Sequence, residues 1–142
     1  MKKIRIIVIE DNRLLRDGIC AMLKKEADFN VVASFDDVDF APKKLEELKP
    51  DIVLLDLSLT EKDSLELVNL IKTDYKTIQV IVMDLVPLQE DILKFVEAGV
   101  SGFIMKDASI SEFLKTIRSV HTGEKILPQT AAGSLFSQIM DY

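Results

Sequence analysis

Asp51-Ile52-Val53-Leu54-Leu55-Asp56 is the stretch of sequence that decides the fold of this chain. It places four consecutive large apolar residues between two carboxylates. An uninterrupted apolar run of this kind is typical of a strand that is buried on both faces, as in a parallel sheet. Asp56 follows the run directly, at the end of the strand where open α/β sheets bind their ligands. The pattern therefore predicts that Asp56 is a nucleophile or a metal ligand.

Two further apolar runs also end in charged residues. Ile4–Ile9 is followed by Glu10 and Asp11, and the run from Val100 to Met105 is followed by Lys106. Because the carboxyl ends of parallel strands meet at one edge of a sheet, we expect two acidic strand ends and one basic end to converge there.

Strand and helix patterns alternate along the whole chain. The segments between the apolar runs have the apolar spacing of helices. The weakest of them is Phe35–Leu48, which Pro42 should either start or interrupt. This alternation predicts an α/β fold with a doubly wound, five-stranded parallel sheet, flanking helices and right-handed crossovers. The predicted strands are Ile4–Ile9, Val31–Ser34, Ile52–Leu55, Ile78–Met83 and Gly102–Met105.

Composition narrows the class of protein. A chain of 142 residues suits one domain, and the single cysteine, Cys20, excludes an intramolecular disulfide framework. No apolar run approaches the 18 residues or so that a membrane span needs, and no secretory signal follows Met1. A net charge of -6 disfavours direct contact with nucleic acid. We therefore expect a cytoplasmic protein without membrane contact.

The acidic strand ends indicate a metal site. Carboxylates as close together as Glu10, Asp11 and Asp56 repel one another unless a cation lies between them, and a hard divalent ion with oxygen ligands is the usual solution. Mg²⁺, or Mn²⁺ in its place, fits phosphoryl chemistry, and Lys106 supplies a compact positive charge for an anionic group. The alternative for each acid taken singly is a solvated residue or a helix cap, and Asp11 before Asn12 is the best candidate cap.

Three segments carry a family resemblance. They are Ile7-Val8-Ile9-Glu10-Asp11-Asn12, Asp51-Ile52-Val53-Leu54-Leu55-Asp56-Leu57-Ser58-Leu59 and Gly102-Phe103-Ile104-Met105-Lys106-Asp107. With these segments the chain resembles the CheY-like receiver domains of response regulators over about residues 3 to 122. The resemblance implies a flavodoxin-like strand order 2-1-3-4-5, with a receiver domain at residues 1–122 and a linker or C-terminal extension at 123–142.

The resemblance also implies roles for individual residues. Asp56 would accept a phosphoryl group from a histidine kinase, and Lys106 would contact the phosphate. Phe103 falls at the position of the family's switch aromatic. The metal would be held by Glu10, Asp11, Asp56 and the backbone carbonyl of Ser58.

Other segments are most similar to the NarL/FixJ subfamily, whose output domain is a helix-turn-helix of the LuxR type. They are Leu15-Arg16-Asp17-Gly18-Ile19, Gly99–Asp107 and the tail Gly123-Glu124-Lys125-Ile126-Leu127-Pro128. The similarity implies transcription regulation and a homodimer. DNA contact would come only through an output domain of this kind, which these 142 residues do not include.

Asp84 departs from the family pattern. Receivers usually place a Thr or Ser at this position, whose hydroxyl bonds a phosphoryl oxygen, and an ionised Asp cannot donate that bond. Asp84 also adds a fourth negative charge to the site, which opposes a phosphoryl group of charge near -2. We therefore predict that phosphorylation of Asp56 is weak or dispensable. Thr60 and Ser64 stand where the family usually has Pro and Gly, so the loop after Asp56 is also altered.

Two other functions remain open from the sequence. The domain is either a phosphorylation-dependent switch or a pseudo-receiver, which would act only through dimerisation or partner contacts around Leu88–Val96, Phe103 and the last helix. Asp56-Leu57-Ser58-Leu59-Thr60 also resembles the nucleophile motif of haloacid-dehalogenase-type phosphatases. That family usually has a second Asp where Ser58 stands and has its acidic pair downstream. We therefore expect a signalling domain and not a multiple-turnover enzyme.

Overall fold

A computed structural model gives the fold and describes residues 2–39, 41–56, 61–85 and 92–127, with the backbone alone at 61, 62, 84 and 85. Helices and strands alternate strictly within these residues. The strands are β1 (Ile4–Ile9), β2 (Phe29–Phe35), β3 (Ile52–Asp56), β4 (Gln79–Leu85) and β5 (Gly102–Met105). The helices are α1 (Arg13–Lys24), α2 (Ala41–Leu48), α3 (Glu61–Asp74), α4 (Ile92–Ala98) and α5 (Ile110–His121).

All five strands form one parallel sheet in the order β2-β1-β3-β4-β5, which confirms the predicted fold. The register of β1 and β3 decides where the candidate site lies. Ile7 pairs with Val53 and Ile9 pairs with Leu55. The residues that follow Ile9 and Leu55, which are Glu10 and Asp56, therefore lie side by side at the carboxyl edge of the sheet.

Two apolar layers cover the sheet, one on each face. Ile7, Ile9, Val53 and Leu55 belong to one layer. Their alternate neighbours on the same two strands point into the other layer, because successive side chains of a strand face opposite ways. Every residue of β3 is buried, as predicted for a central parallel strand. Burying each large apolar side chain contributes about 1.5–3 kcal/mol, so the central strands are rigid supports for whatever lies at their ends.

Two helix starts test the sequence predictions. α2 begins at Ala41 with Pro42 in its first turn, where a missing backbone N–H costs nothing, so the prediction that Pro42 starts this helix is confirmed. Phe35 belongs to β2, so the predicted start of that helix is wrong. The alternative in which Asp11 caps α1 is wrong, because the Asn12 side chain accepts the hydrogen bond from the Leu15 backbone N–H.

The chain turns back onto β5 after α5. Gly123 adopts a left-handed φ of 100°, which stops the helix after Thr122. The Ile126 N–H then donates to the Ser101 carbonyl, and the Phe103 N–H donates to the Ile126 carbonyl, each over 3.0 Å. Ile126 thereby pairs in parallel with Gly102 at the outer edge of β5.

The predicted domain boundary after residue 122 stays a prediction. The predicted short helix containing Leu135, Phe136 and Ile139 lies outside the described residues. Among the helices that are described, none is both long enough and apolar enough to cross a bilayer.

Candidate functional site at the carboxyl edge of the sheet

Three carboxylates meet at the carboxyl edge. Glu10 and Asp11 follow β1, and Asp56 is the last residue of β3. One carboxylate oxygen from each lies within 4.8 Å of the others. Glu10 and Asp56 are each 1% exposed, whereas Asp11 is exposed to solvent. The structure therefore brings together the three acids that the sequence placed at strand ends. The carboxyls of Glu10 and Asp56 are buried, and that of Asp11 is at the surface.

A set of hydrogen bonds fixes Glu10. Its backbone N–H donates to the Phe35 carbonyl over 3.0 Å, and its Oε1 accepts from the Asn12 N–H over 3.0 Å. Its backbone carbonyl accepts from Arg16 Nη1 over 2.7 Å. Its other carboxyl oxygen, Oε2, is buried and has no hydrogen-bond partner. Such an oxygen costs free energy unless a proton or a cation satisfies it.

The electrostatics of Glu10 point in the same direction. Burial, together with the hydrogen bond and the charge of the neighbouring Asp56 carboxyl, raises its pKa from 4.5 to about 9. Hydrogen bonding to the Asn12 N–H lowers the pKa but does not offset these effects. A hard divalent cation would supply the missing positive charge and the missing partner for Oε2. The three acids thus fit Mg²⁺ or Mn²⁺, since both bind carboxylate oxygens.

Lys106 lies at the same edge, directly after β5. It lines a cavity of about 180 Å³ together with Glu10, and Leu15, Ile19 and Phe113 are among the apolar residues of its wall. The Lys106 side chain is exposed to solvent. Lys106 therefore lies at the same edge as the acids and shares a cavity with Glu10.

Comparison with known sequences decides the family. The sequence model of the response regulator receiver domain matches residues 6–118, which is most of the chain. This chain belongs to the response-regulator receiver family. The receiver domain is the signalling domain of a two-component response regulator. The match favours this interpretation over the pseudo-receiver that the sequence left open.

Relatives agree with this assignment. The chain is 27% identical to the transcriptional regulatory protein LnrK of Bacillus subtilis (strain 168), over 95% of this chain and 61% of LnrK. It is 28% identical to the response regulator protein VraR of Staphylococcus aureus (strain NCTC 8325), over 87% of this chain and 59% of VraR. The receiver therefore spans less than two thirds of either curated relative.

A solved structure supports the fold. The crystal structure of a LuxR-family two-component response regulator from Aurantimonas sp. SI85-9A1 superimposes with a TM-score of 0.83. The match covers 98% of this chain and 99% of that chain, at 23% sequence identity. At this level of identity the match bears on the fold alone.

Some predicted site residues cannot be placed. Ser58 and Thr60 lie outside the described residues, as does Leu88. Asp84 lies in β4, but its side chain is outside what the structure describes. Its predicted effect on phosphorylation, like the role of Ser58, stays a prediction.

Two other residues of this receiver can be placed. Phe103, at the predicted switch position, is buried in β5. Ser64 lies in α3, is 1% exposed, and its Oγ has no hydrogen-bond partner. The Ser at this position thus introduces a buried hydroxyl where the family usually has Gly.

One contact of the site is not predicted from the sequence. The Arg16 guanidinium, which the sequence places only in a subfamily motif, donates to the backbone carbonyl of Glu10, a predicted metal ligand. The spacing could have indicated this contact, because Arg16 lies four residues after Asn12 and therefore on the same side of α1 as its N-cap.

Proposed function

We propose that this receiver accepts a phosphoryl group at Asp56 from the phosphohistidine of a histidine kinase, in a reaction that depends on Mg²⁺ or Mn²⁺. The observation that carries the proposal is the position of Asp56. It is buried at the end of the central strand β3, with carboxylate oxygens of Glu10 and Asp11 within 4.8 Å of its own. A carboxylate held in this way is both a nucleophile and a metal ligand.

Each residue then has a chemical task. One Asp56 oxygen attacks phosphorus, the bond between phosphorus and the kinase imidazole nitrogen breaks, and that nitrogen keeps the electron pair as the acyl phosphate forms. Glu10, Asp11 and Asp56 would hold the metal, and we expect the Ser58 carbonyl to be a further ligand. When bound, the metal would supply positive charge that screens the carboxylates from the incoming phosphoryl group. The Lys106 ammonium would contact the phosphoryl oxygens.

Phosphorylation would act as a switch by changing charge. A phosphoryl group on Asp56 would add negative charge at the carboxyl end of β3, beside β4. We propose that Phe103 in β5 changes position in response and so alters the surface of the domain. We propose that the signal passes to a homodimer and to DNA through an output domain outside these residues. The receiver domain would occupy residues 1–122 and would act in the cytoplasm. It would not be a multiple-turnover enzyme.

Asp84 is proposed to weaken this reaction. A fourth carboxylate at the edge would make the site net negative before the phosphoryl group arrives, even with a divalent metal and Lys106 present. At about 4 Å and an effective dielectric of 20, each added like charge costs on the order of 4 kcal/mol. Phosphorylation is then slow or incomplete compared with a receiver that carries a hydroxyl at this position.

Intact mass spectrometry tests the proposal. The protein is incubated with a small phosphodonor and Mg²⁺, and we expect one phosphoryl group to be added, slowly, to the unaltered chain. Asp56→Asn removes the nucleophile and should abolish the addition. Asp17→Asn is the control, because Asp17 is an exposed acid of α1 that pairs with Arg13 at 3.9 Å. Equal modification of the Asp56→Asn variant and the unaltered protein would exclude Asp56 as the acceptor.

A further inference from the structure

Arg16 lies in the first turns of α1 and contacts the backbone of the acidic turn after β1. Its Nη1 donates to the Glu10 backbone carbonyl over 2.7 Å, and among the described residues this carbonyl is the only hydrogen-bond acceptor that the Arg16 side chain has. The side chain is half-buried. Arg13, on the same helix, differs in each respect, because it is 86% exposed and pairs only loosely with Asp17 at 3.9 Å. α1 therefore has one arginine bound to the acidic turn and one in solvent.

The contact restrains the geometry of the acidic turn. The Glu10 carbonyl and the Asp11 amide belong to one planar peptide unit, so holding the carbonyl also fixes the direction in which Asp11 leaves β1. The Asn12 N–H is bonded to Glu10 Oε1, which fixes the next peptide. Arg16 is the one side-chain donor in this set of bonds, and its hydrogen bond is strengthened by its charge.

The location of Arg16 is electrostatically unfavourable for the helix itself. A cation in the first turns opposes the positive end of the helix dipole, and the first turn of α1 contains no acidic residue to offset it. A positive charge at the amino end of α1 can therefore be stabilised only by negative groups outside the helix, beyond its amino end. In this protein that is the cluster of Glu10, Asp11 and Asp56.

We propose that Arg16 is a positioning residue for metal binding, which holds the Glu10–Asp11 turn so that both carboxylates face the same cation. This inference rests on the proposed function in taking these acids as the metal ligands. Groups that orient metal ligands typically change metal affinity by roughly tenfold or more when they are removed.

Whether loss of the Arg16 side chain weakens or tightens Mg²⁺ binding separates a positioning role from a simple charge effect. Removing a positive charge near a cation site tightens cation binding, whereas loss of ligand geometry weakens it. Arg16→Ala is therefore expected to raise the Mg²⁺ dissociation constant by roughly tenfold, although it removes a repulsive charge. Arg13→Ala removes the same charge from the same helix without touching Glu10, and it should leave Mg²⁺ binding unchanged or slightly tighter.

The experiment is a calorimetric titration with Mg²⁺, without phosphodonor, on the unaltered protein, Arg16→Ala, Arg16→Lys and Arg13→Ala. Thermal melting in a chelator checks that each variant is folded. Arg16→Lys keeps a charged donor for the Glu10 carbonyl and should recover most of the affinity, even if Arg16→Ala is too unstable to titrate. The inference is overturned if Arg16→Ala binds Mg²⁺ as tightly as the unaltered protein or more tightly. It is also overturned if Arg16→Lys binds Mg²⁺ as weakly as an unfolded protein does.

Failure of this inference and failure of the proposed function give different results. If the unaltered protein binds Mg²⁺ and is phosphorylated at Asp56 but Arg16→Ala binds Mg²⁺ equally well, only the role of Arg16 is wrong. If Mg²⁺ binds and Arg16→Ala weakens it while no phosphoryl group is ever added, only the phosphoacceptor function is wrong. If the unaltered protein binds no Mg²⁺, both are wrong.

Discussion

The two edges of the sheet treat acidic residues in opposite ways. At the carboxyl edge, Glu10 lies with Asp11 and Asp56 and has a buried oxygen without a hydrogen-bond partner. At the amino edge, Glu26 and Asp28 both bond the Arg118 guanidinium over 2.8 Å. Arg118 also lies over the ring of Phe29, 4.8 Å from its centroid. The acids at the carboxyl edge thus depend on a cation from solution, whereas those at the amino edge are paired with a guanidinium of the protein itself.

The pKa values follow this difference. The Arg118 hydrogen bond holds the pKa of Asp28 below its usual value, and the two carboxylates raise the pKa of Arg118. Burial and Asp56 raise the pKa of Glu10 to about 9. Acids at the amino edge therefore stabilise the fold, whereas Glu10 at the carboxyl edge costs stability until a cation binds. Such a cost is expected where a site is built for a ligand.

The largest predicted effect on stability reverses this cost. Glu10→Gln should raise the free energy of unfolding of the metal-free protein at pH 8 by about 2 kcal/mol or more, since each unit of raised pKa corresponds to about 1.4 kcal/mol. Because the folded pKa lies above the unfolded one, the stability associated with the protonated carboxyl is fully present below about pH 4.5 and is lost as the pH rises toward 9. Urea denaturation at pH 5 and pH 8 measures this gain.

The same experiment includes a metal control. Mg²⁺ should stabilise the unaltered protein at pH 8 more than at pH 5, and it should stabilise Glu10→Gln much less at either pH. A Glu10→Gln variant that is less stable than the unaltered protein at pH 8 without metal would mean that Glu10 is not strained. The contrast between the two edges would then be wrong.

A second prediction concerns the fourth acid at the carboxyl edge. Asp84→Thr removes a negative charge and supplies a hydroxyl donor, so the rate of phosphoryl addition at Asp56 should rise several-fold. Intact mass over a time course with a small phosphodonor and Mg²⁺ measures the rate, and Asp84→Asn separates the charge from the hydroxyl. Rapid and nearly complete phosphorylation of the unaltered protein would show that Asp84 does not obstruct the site.

The smallest predicted effect lies at the amino edge. Asp28→Asn should lower the free energy of unfolding at pH 7 by roughly 1 kcal/mol or less, because both side chains of the Asp28 to Arg118 pair are more than a third exposed and solvent screens them. Since the folded pKa of Asp28 is lowered, its contribution is present above its ordinary pKa of 3.8 and is lost as the pH falls through the folded value. The difference between the variant and the unaltered protein should therefore shrink in acid and in high salt, as measured by thermal melting.

Much of the fold was predictable because long apolar runs leave few alternatives. β1 and β5 have the bounds that their apolar runs predict. β2 extends beyond its predicted range at both ends, and β4 continues through Asp84. Pairing with neighbouring strands extends both strands beyond their apolar residues. Tertiary pairing of this kind is not encoded in local hydrophobicity.

The candidate site was predictable to the level of residues but not of contacts. Parallel topology alone brings Glu10, Asp11 and Asp56 to one edge, since each lies at the carboxyl end of a central strand. The capping of α1 by Asn12, in place of Asp11, and the bond from Arg16 to the Glu10 carbonyl depend on side-chain rotamers. The hydrogen bond between Arg118 and Asp28 joins residues that are 90 positions apart, so no local sequence pattern predicts it.

The pairing of Ile126 with β5 adds a short parallel segment to the outer edge of the sheet. At Ile126 the chain therefore runs in the same direction as β5, whereas α5 runs the opposite way. The Ile126 carbonyl also accepts the amide hydrogen of Phe103. The backbone of the proposed switch residue is therefore hydrogen-bonded directly to the segment that follows α5, with no side chain between them.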